Sequence, residues 1–357
     1  MRANIGIVFV EKILALNFNM ELTYQPFELQ LKHTFTIAKF SRTTTPVMLL
    51  QIKHEGFTGY GEASMVPYMG ETWDTATDFL KKVDAVQFKY PFDFDAIIDY
   101  LDSIAPGNTA IKAGIDIALH DLDGKIKGKP CWELLGSDPA KMPVTSFTIG
   151  IDTPEVMRQK VLEAANDFKV IKVKLGRDND KEIIETIRSV TDAPLYVDAN
   201  QGWSDLQKSL DMTYWLQEQG VLLIEQPMLR TDYDNNAWLT ERSPLPIIAD
   251  EAVQRFADVE MAKGAYHGIN IKLMKCTGMH EAHKMIAKAQ ELNLQVMIGC
   301  MTETSCAALA GAALAPQCAF ADLDGPFLTS NNPFMLPGFV DGKWVLSEDN
   351  GLGLKAL

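Results

Sequence analysis

From Pro143 onward, the chain carries a repeating pattern that restricts the folds open to it. Eight short apolar runs recur there, separated by stretches with helical spacing. The runs are VTSFTI, VIKVKL, PLYVDAN, VLLIEQP, PIIAD, GINIKL, LQVMIG and AFADLDG. Such alternation is typical of parallel βαβ units, and eight units close into a barrel. An open doubly wound sheet is the alternative, but no GxGxxG turn follows the first run, which disfavours a dinucleotide-binding fold.

The first third of the chain has a different pattern. Residues 20–62 alternate apolar and polar residues, which predicts a small antiparallel sheet. Helical stretches follow at about 71–87, 95–104 and 109–127. We therefore predict an α/β protein with three segments. These are an α+β domain over residues 1–135, a barrel over 136–325, and a Gly- and Pro-rich segment over 326–357 that returns to the first domain.

Charge and cysteine content narrow the function. A net charge of −14 lacks the basic footprint of a nucleic-acid-binding protein. Five cysteines without CxxC spacing indicate reduced thiols and a cytoplasmic protein. Residues 1–19 resemble a weak signal sequence, but Glu11 and Lys12 interrupt the apolar run, so we interpret them as a short extension or an extra strand. We expect no membrane-spanning segment.

Three acidic residues stand at the ends of successive predicted strands. Asp198, Glu225 and Asp250 end the third, fourth and fifth runs, about one βα unit apart. Barrel enzymes place their sites at these carboxyl ends, so the three carboxylates are expected to converge. Converging carboxylates repel each other unless a cation lies among them. An all-oxygen set favours Mg²⁺ first and Mn²⁺ second. The alternative is that each acid caps the following helix.

Three lysines flank these acids. Lys172 and Lys174 lie on the second run, where the strand period of two points both side chains into the barrel mouth. Lys272 lies on the sixth run, across the barrel. A neighbouring ammonium and a dication both lower a lysine pKa, toward the range useful for proton abstraction. The alternative is that the lysines are solvated surface residues.

Five ordered motifs together resemble the muconate-lactonising subgroup of the enolase superfamily. They are KVK at 172–174, DAN at 198–200, EQP at 225–227, ADE at 249–251 and NIKLMK at 270–275. The resemblance covers nearly the whole chain. It implies a (β/α)7β TIM-like barrel with an α+β capping domain built from both termini. The implied chemistry is abstraction of the α-proton of a carboxylate, with Mg²⁺ stabilising the enediolate.

The resemblance also implies roles for the three lysines. Lys174 and Lys272 would be bases on opposite faces of the substrate α-carbon, one removing the proton and the other returning it. Lys172 would contact the substrate carboxylate. Asp198, Glu225 and Asp250 would hold one metal ion.

The ADLDG segment at 321–325 points to one branch of this subgroup. Asp322 and Asp324 form a DxD pair that resembles that of dipeptide epimerases, where it holds the substrate's α-ammonium. An ammonium group favours two nearby carboxylates, although an acidic turn before Gly325 is the alternative. Thr148 and Cys300 match substrate-lining positions of that family. For Cys300, a small buried filler is an equally good interpretation.

The loop after the first strand bears on substrate choice. Epimerases acting on Ala–Glu carry an arginine there, and the corresponding position is Phe40, with Lys39 and Arg42 close by. Phe40 at this position would favour dipeptides with a hydrophobic second residue, by at least about tenfold over Ala–Glu. A shift of one or two residues would bring Lys39 or Arg42 there instead.

The sequence therefore predicts a cytoplasmic, Mg²⁺-dependent dipeptide epimerase. A small-molecule dipeptide is the expected partner, and we expect a homo-oligomer without nucleic-acid or membrane partners. The alternatives are an o-succinylbenzoate synthase, an N-acylamino-acid racemase or a cycloisomerase of the same superfamily, whose substrates carry no ammonium. A metal-stabilised barrel without catalytic activity is a further alternative, although it gives no reason to bury three lysines.

Overall fold

The computed structural model describes residues 20–37, 40–66 and 69–357. The predicted extension over residues 1–19 and the candidate Lys39 lie outside these ranges. Within them, no helix is both long enough and apolar enough to cross a membrane.

The N-terminal part begins with an antiparallel sheet in the order β1-β2-β3. Its strands are β1 (Glu21–Thr36), β2 (Ser41–His54) and β3 (Phe57–Ser64). More and less exposed residues alternate over residues 26–32 of β1, as the period of two predicts. In β2 residues 47–52 are all buried, so both faces of this central strand are covered. The predicted small antiparallel sheet is confirmed.

Four helices follow and cover this sheet. They are α1 (Trp73–Leu80), α2 (Phe94–Ile104), α3 (Thr109–Lys127) and α4 (Cys131–Leu134). Helix α3 packs very closely on β3, because a Cβ at Gly61 would lie 1.9 Å from the carbonyl oxygen of Gly114. It ends at Gly128, which adopts the left-handed conformation at φ 67°. We refer to the sheet and these helices as the cap.

The barrel is built from eight parallel strands in sequence order, as predicted. They are β4 (Ser146–Ile149), β5 (Val170–Lys174), β6 (Leu195–Asp198), β7 (Val221–Glu225), β8 (Ile247–Ala249), β9 (Gly268–Lys272), β10 (Gln295–Gly299) and β11 (Phe320–Asp322). A parallel bridge between Thr145 and Ala321 brings the last strand beside the first and nearly closes the barrel. The α/β class and the barrel with an α+β cap are therefore confirmed.

Seven helices surround the barrel within the described ranges. They are α5 (Pro154–Ala164), α6 (Asp180–Arg188), α7 (Leu206–Glu218), α8 (Tyr233–Arg242), α9 (Val259–Ala262), α10 (Met279–Glu291) and α11 (Ser305–Leu314). The tail adds a hairpin, β12 (Phe339–Val340) and β13 (Lys343–Trp344), and then contacts the cap. There the backbone N–H of Leu352 donates to the carboxylate of Asp121 at 2.8 Å.

Two buried carboxylates of the cap satisfy the N-termini of barrel helices. Glu62 on β3 accepts hydrogen bonds from the backbone N–H groups of Thr304 and Ala307 at the start of α11. Asp116 on α3 accepts one from the N–H of Met279, the first residue of α10. The first N–H groups of a helix have no partner within the helix. The two cap carboxylates therefore supply the hydrogen-bond acceptors for these barrel helices.

Candidate active site

Three acidic side chains converge at the carboxyl ends of β6, β7 and β8. Asp198 pairs in register with Glu225 on the next strand, and Asp250 directly follows β8. One oxygen from each carboxylate lies within 4.8 Å of the others, and all three residues are buried. The donor set contains oxygen only, without histidine or cysteine, which suits a hard divalent cation such as Mg²⁺.

The pKa values of the three carboxyl groups are shifted in different directions. Burial raises the pKa of Glu225 to about 7, and the Asp198 carboxylate adds to the shift. Burial acts in the same direction on Asp250, but the ammonium groups of Lys272 and Lys275 outweigh it and hold the pKa well below its usual range. For Asp198, the lysines at 174 and 172 likewise overcome burial and lower the pKa. The site thus compensates carboxylates with ammonium groups.

Lys172 lies between the acidic site and the DxD pair. Its Nζ is 2.6 Å from Glu225 Oε2 and 2.7 Å from Asp322 Oδ2. Burial lowers its pKa, but the carboxylates of Asp322, Glu225 and Asp198 outweigh burial and raise the pKa well above its usual range. The surrounding carboxylates therefore hold Lys172 as a cation.

Lys174 and Lys272 approach the acids from opposite sides. Lys174 donates to Asp198 Oδ2 at 2.5 Å, and Lys272 donates to Asp250 Oδ2 at 2.8 Å. Their strands, β5 and β9, are four places apart among eight, which is diametrically across a closed barrel. The two ammonium groups are both buried and both line the same cavity of about 560 Å³. The arrangement suits proton transfer at the two faces of one carbon.

The DxD pair lies at the end of β11, in the same cavity. Asp322 accepts hydrogen bonds from Ser146 Oγ at 2.7 Å and from Lys172. Asp324 accepts one from the backbone N–H of Thr148 at 2.6 Å, and the Cys300 thiol lies 3.9 Å from its other oxygen. Burial and the nearby Asp322 carboxylate raise the pKa of Asp324 to about 7. The two carboxyl groups therefore differ, since Asp322 is already paired with a cation.

The cap forms the outer wall of the cavity. Phe40 and Arg42 both line it, and the Arg42 guanidinium lies over the rings of Phe35 and Phe40, 5.5 and 5.9 Å from their centroids. Arg42 also donates to the Thr302 hydroxyl at 2.7 Å. The cavity therefore has an apolar wall at Phe40 together with a cation beside it.

Comparison with protein families identifies the fold. Residues 21–136 match the mandelate racemase / muconate lactonizing enzyme N-terminal domain, and residues 156–356 match the enolase C-terminal domain-like family. The chain belongs to the enolase superfamily. The resemblance inferred from the five motifs is thereby confirmed.

Three members of this superfamily are similar over nearly the whole chain. An L-Ala-D/L-Glu epimerase from Bacteroides thetaiotaomicron is 56% identical over 335 residues, covering 94% of this chain and 88% of the relative. A hydrophobic dipeptide epimerase from Enterococcus faecalis is 34% identical over 347 residues, covering 92% and 96%. A solved structure of the Enterococcus faecalis dipeptide epimerase, complexed with Mg and the dipeptide L-Leu-L-Tyr, has a TM-score of 0.86 at 32% identity. It covers 95% of this chain and 99% of that chain.

Four further residues of this enolase-superfamily site were not assigned from the sequence patterns. Lys275 is buried and donates to both the carboxylate and the backbone carbonyl of Asp250, at 2.5 and 2.6 Å. Asn270 donates to Glu225 Oε1 at 2.9 Å. Asn200 and Glu251 also line the cavity. All four lie inside or directly beside the motifs that carry the resemblance, so their position in the chain was the available signal.

Proposed function

We propose that this chain is a Mg²⁺-dependent dipeptide epimerase that inverts the stereocentre beside the substrate carboxylate. One observation carries the proposal: two opposed lysines, an acidic DxD pair and Asp250 of the acidic triad line one cavity. The other two acids of the triad, Asp198 and Glu225, lie against the cavity-lining lysines Lys174 and Lys172. The similarity to dipeptide epimerases over more than nine-tenths of the chain supports it.

In this proposal, Asp198, Glu225 and Asp250 hold Mg²⁺. The fit rests on their all-oxygen donor set, their burial and their mutual distances. When bound, the ion supplies positive charge beside the substrate carboxylate as the α-proton leaves. Lys172, a fixed cation, contacts the same carboxylate and adds to this charge.

Lys174 and Lys272 act as the two bases. One takes the α-proton from one face of the carbon, and the other delivers a proton to the opposite face. The lysine that takes the proton is a neutral amine, and the one that delivers it is an ammonium. Inversion follows because the two side chains lie across the barrel from each other. The reaction is reversible, since each lysine can serve as base or acid depending on its protonation.

Asp322 and Asp324 bind the α-ammonium of the first residue, and Thr148 and Cys300 line the same part of the cavity. This feature favours a dipeptide over the substrates of an o-succinylbenzoate synthase, an N-acylamino-acid racemase or a cycloisomerase, which carry no ammonium. Three buried lysines argue against a barrel without catalytic activity, because burying ion pairs costs desolvation free energy that apolar residues would not cost.

The second residue of the dipeptide contacts the cap. Phe40 supplies the apolar wall on which the hydrophobic preference was predicted, and that preference stays a prediction. Arg42 lies beside Phe40 and provides a partner for a carboxylate, so we propose that the site also accepts glutamate. The relatives described above carry names of both kinds.

Three further expectations from the sequence are also part of this proposal. They are a cytoplasmic location, a homo-oligomer, and domain boundaries at residues 135 and 325. The free and buried state of all five cysteines supports a reducing compartment.

A screen of dipeptides in D₂O tests the proposal. We expect Mg²⁺-dependent incorporation of one deuterium at the α-carbon of the second residue, together with inversion of that residue. Mass spectrometry and chiral chromatography measure the two. Deuterium exchange in succinylated amino acids but in no free dipeptide would contradict the assignment.

A further inference from the structure

A second cavity, of about 150 Å³, lies beneath an irregular part of β1. β1 pairs with β2 at Gln30↔Thr44 and next at Phe35↔Arg42, so residues 31–34 lie opposite Thr43 alone. All four of these residues line the cavity. Such irregularities of a strand are frequent beside active sites, where they change the direction of side chains.

This cavity adjoins one particular end of the catalytic cavity. Phe35, Thr148 and Leu328 line both. Thr148 donates its backbone N–H to Asp324, so the shared wall lies at the DxD pair and not at the acidic triad. A side chain that branches from the carbon bearing the bound ammonium therefore meets this wall.

The wall is held in place from both sides. The backbone N–H of Ile151 donates to the carbonyl oxygen of Thr36 at 2.9 Å, which ties the end of β1 to the loop after β4. Gly150 permits this approach, because a Cβ there would lie 3.0 Å from the same oxygen. The Arg42 guanidinium lies over the Phe35 ring from the other side.

The inner part of the second cavity is aromatic. The ring of Phe168 packs against those of Phe147 and Phe327, with centroids 4.9 and 5.1 Å away, and Ala164 of α5 faces the same space. Charged side chains also line the cavity: Lys160 lies 3.1 Å from Asp152, His33 lies 3.5 Å from Glu163, and Lys32 and Asp167 complete the set. An aliphatic or aromatic side chain matches the aromatic part of the lining, because burying a charged one against these rings costs free energy.

We propose that Phe35 and Leu328 limit the first residue of the dipeptide to a small side chain, and that the cavity behind them is a latent subsite for a larger apolar one. The inference rests on the proposed epimerase function, because it takes the DxD pair as the ammonium site. It assigns the selectivity for the first residue to a wall between two cavities.

Shortening the wall tests this inference. The measured quantity is the ratio of kcat/KM for Leu–Leu to kcat/KM for Ala–Leu. Wild type is expected to favour Ala–Leu, and Phe35→Ala should raise the ratio by at least about tenfold, the usual range for opening space of a few methylenes. Leu328, in the short helical segment after β11, forms the other part of the wall, so Leu328→Ala should also raise the ratio.

A second substitution provides the matched control. Ala164→Phe fills the latent cavity from α5, so the double variant Phe35→Ala/Ala164→Phe should return the ratio to near its wild-type value. Circular dichroism and thermal unfolding verify that each variant is folded, and Leu328→Ala decides the question if Phe35→Ala does not fold.

The outcomes separate the two hypotheses. Absence of wild-type turnover of every dipeptide would refute the proposed function. Wild-type turnover with an unchanged ratio in a folded wall variant would overturn the latent subsite alone. A gain that persists in the double variant would also overturn it, because the larger side chain would then occupy some other space.

Discussion

Asp324→Asn tests the DxD pair most directly, because the structure distinguishes its two carboxylates. Asp322 already bonds Lys172 at 2.7 Å, whereas Asp324 accepts a hydrogen bond from Thr148 and lies 3.9 Å from the Cys300 thiol. Removing the charge of Asp324 costs about 1.5–3 kcal/mol, the usual value for a hydrogen bond to a charged group. At 1.4 kcal/mol per tenfold, KM for a free dipeptide should rise about 10–100-fold. The ammonium keeps its charge throughout the reaction, so kcat should change little.

Asp322→Asn provides the contrast. Because Asp322 also holds Lys172, this substitution removes one of the three carboxylate charges around a lysine that lies 2.6 Å from Glu225 Oε2. We therefore expect it to lower kcat as well as raise KM.

The pH dependence gives Asp324 a second readout. Its carboxyl pKa is raised to about 7, so the group becomes neutral as pH falls through that value and no longer attracts an ammonium. At saturating Mg²⁺, wild-type kcat/KM for Ala–Leu should fall below pH of about 7, since kcat/KM reports groups of the free enzyme. Asp324→Asn should flatten this part of the profile.

Steady-state kinetics with Ala–Leu and N-acetyl-Ala–Leu complete the assay. Acetylation removes the ammonium. The kcat/KM of wild type should therefore fall on the acetylated substrate by about the same factor as the kcat/KM of Asp324→Asn falls on the free one. Equal turnover of the two substrates by wild type would refute the ammonium role of the pair.

Three further predictions concern the rest of the site. Lys174→Ala and Lys272→Ala should each abolish epimerisation, while one of them retains α-proton exchange in D₂O on one stereoisomer; inversion by both single variants would exclude two bases. EDTA should abolish activity and Mg²⁺ restore it, and Asp198→Asn should weaken Mg²⁺ binding in calorimetry, whereas full activity in EDTA would contradict the metal site. Arg42→Met should lower kcat/KM for Ala–Glu by at least about tenfold and for Ala–Leu far less; a parallel loss on both would remove Arg42 from specificity.

The barrel and the acidic triad could be predicted from sequence because local rules determine them. A strand period of two places Lys172 and Lys174 on one face, and the length of a βα unit brings Asp198 and Glu225 to the same edge. Asp250 follows from the same spacing. Nothing beyond local patterning is needed to bring these groups together.

Features that depend on contacts far apart in the chain could not be predicted in the same way. Both Phe40 and Arg42 line the cavity, although the loop sequence alone left them as alternatives. The pKa direction of Lys172 depends on Asp322, which is 150 residues away in the chain. Lys275 reaches Asp250 through a turn after β9 that periodicity does not describe.

The division of labour between cap and barrel explains why buried carboxylates join them. The residues that are proposed to act in the reaction belong to the barrel. Phe35, Phe40 and Arg42, which are proposed to contact the side chains of the substrate, belong to the cap. A displacement of about 1 Å between two such units is enough to slow a reaction strongly. Asp116 and Glu62 oppose such a displacement, because they accept hydrogen bonds from the helices that follow β9 and β10, the strands leading to Lys272 and to the loop of Cys300. In the proposed function, the cap thus contacts the substrate and also anchors the barrel loops beside it.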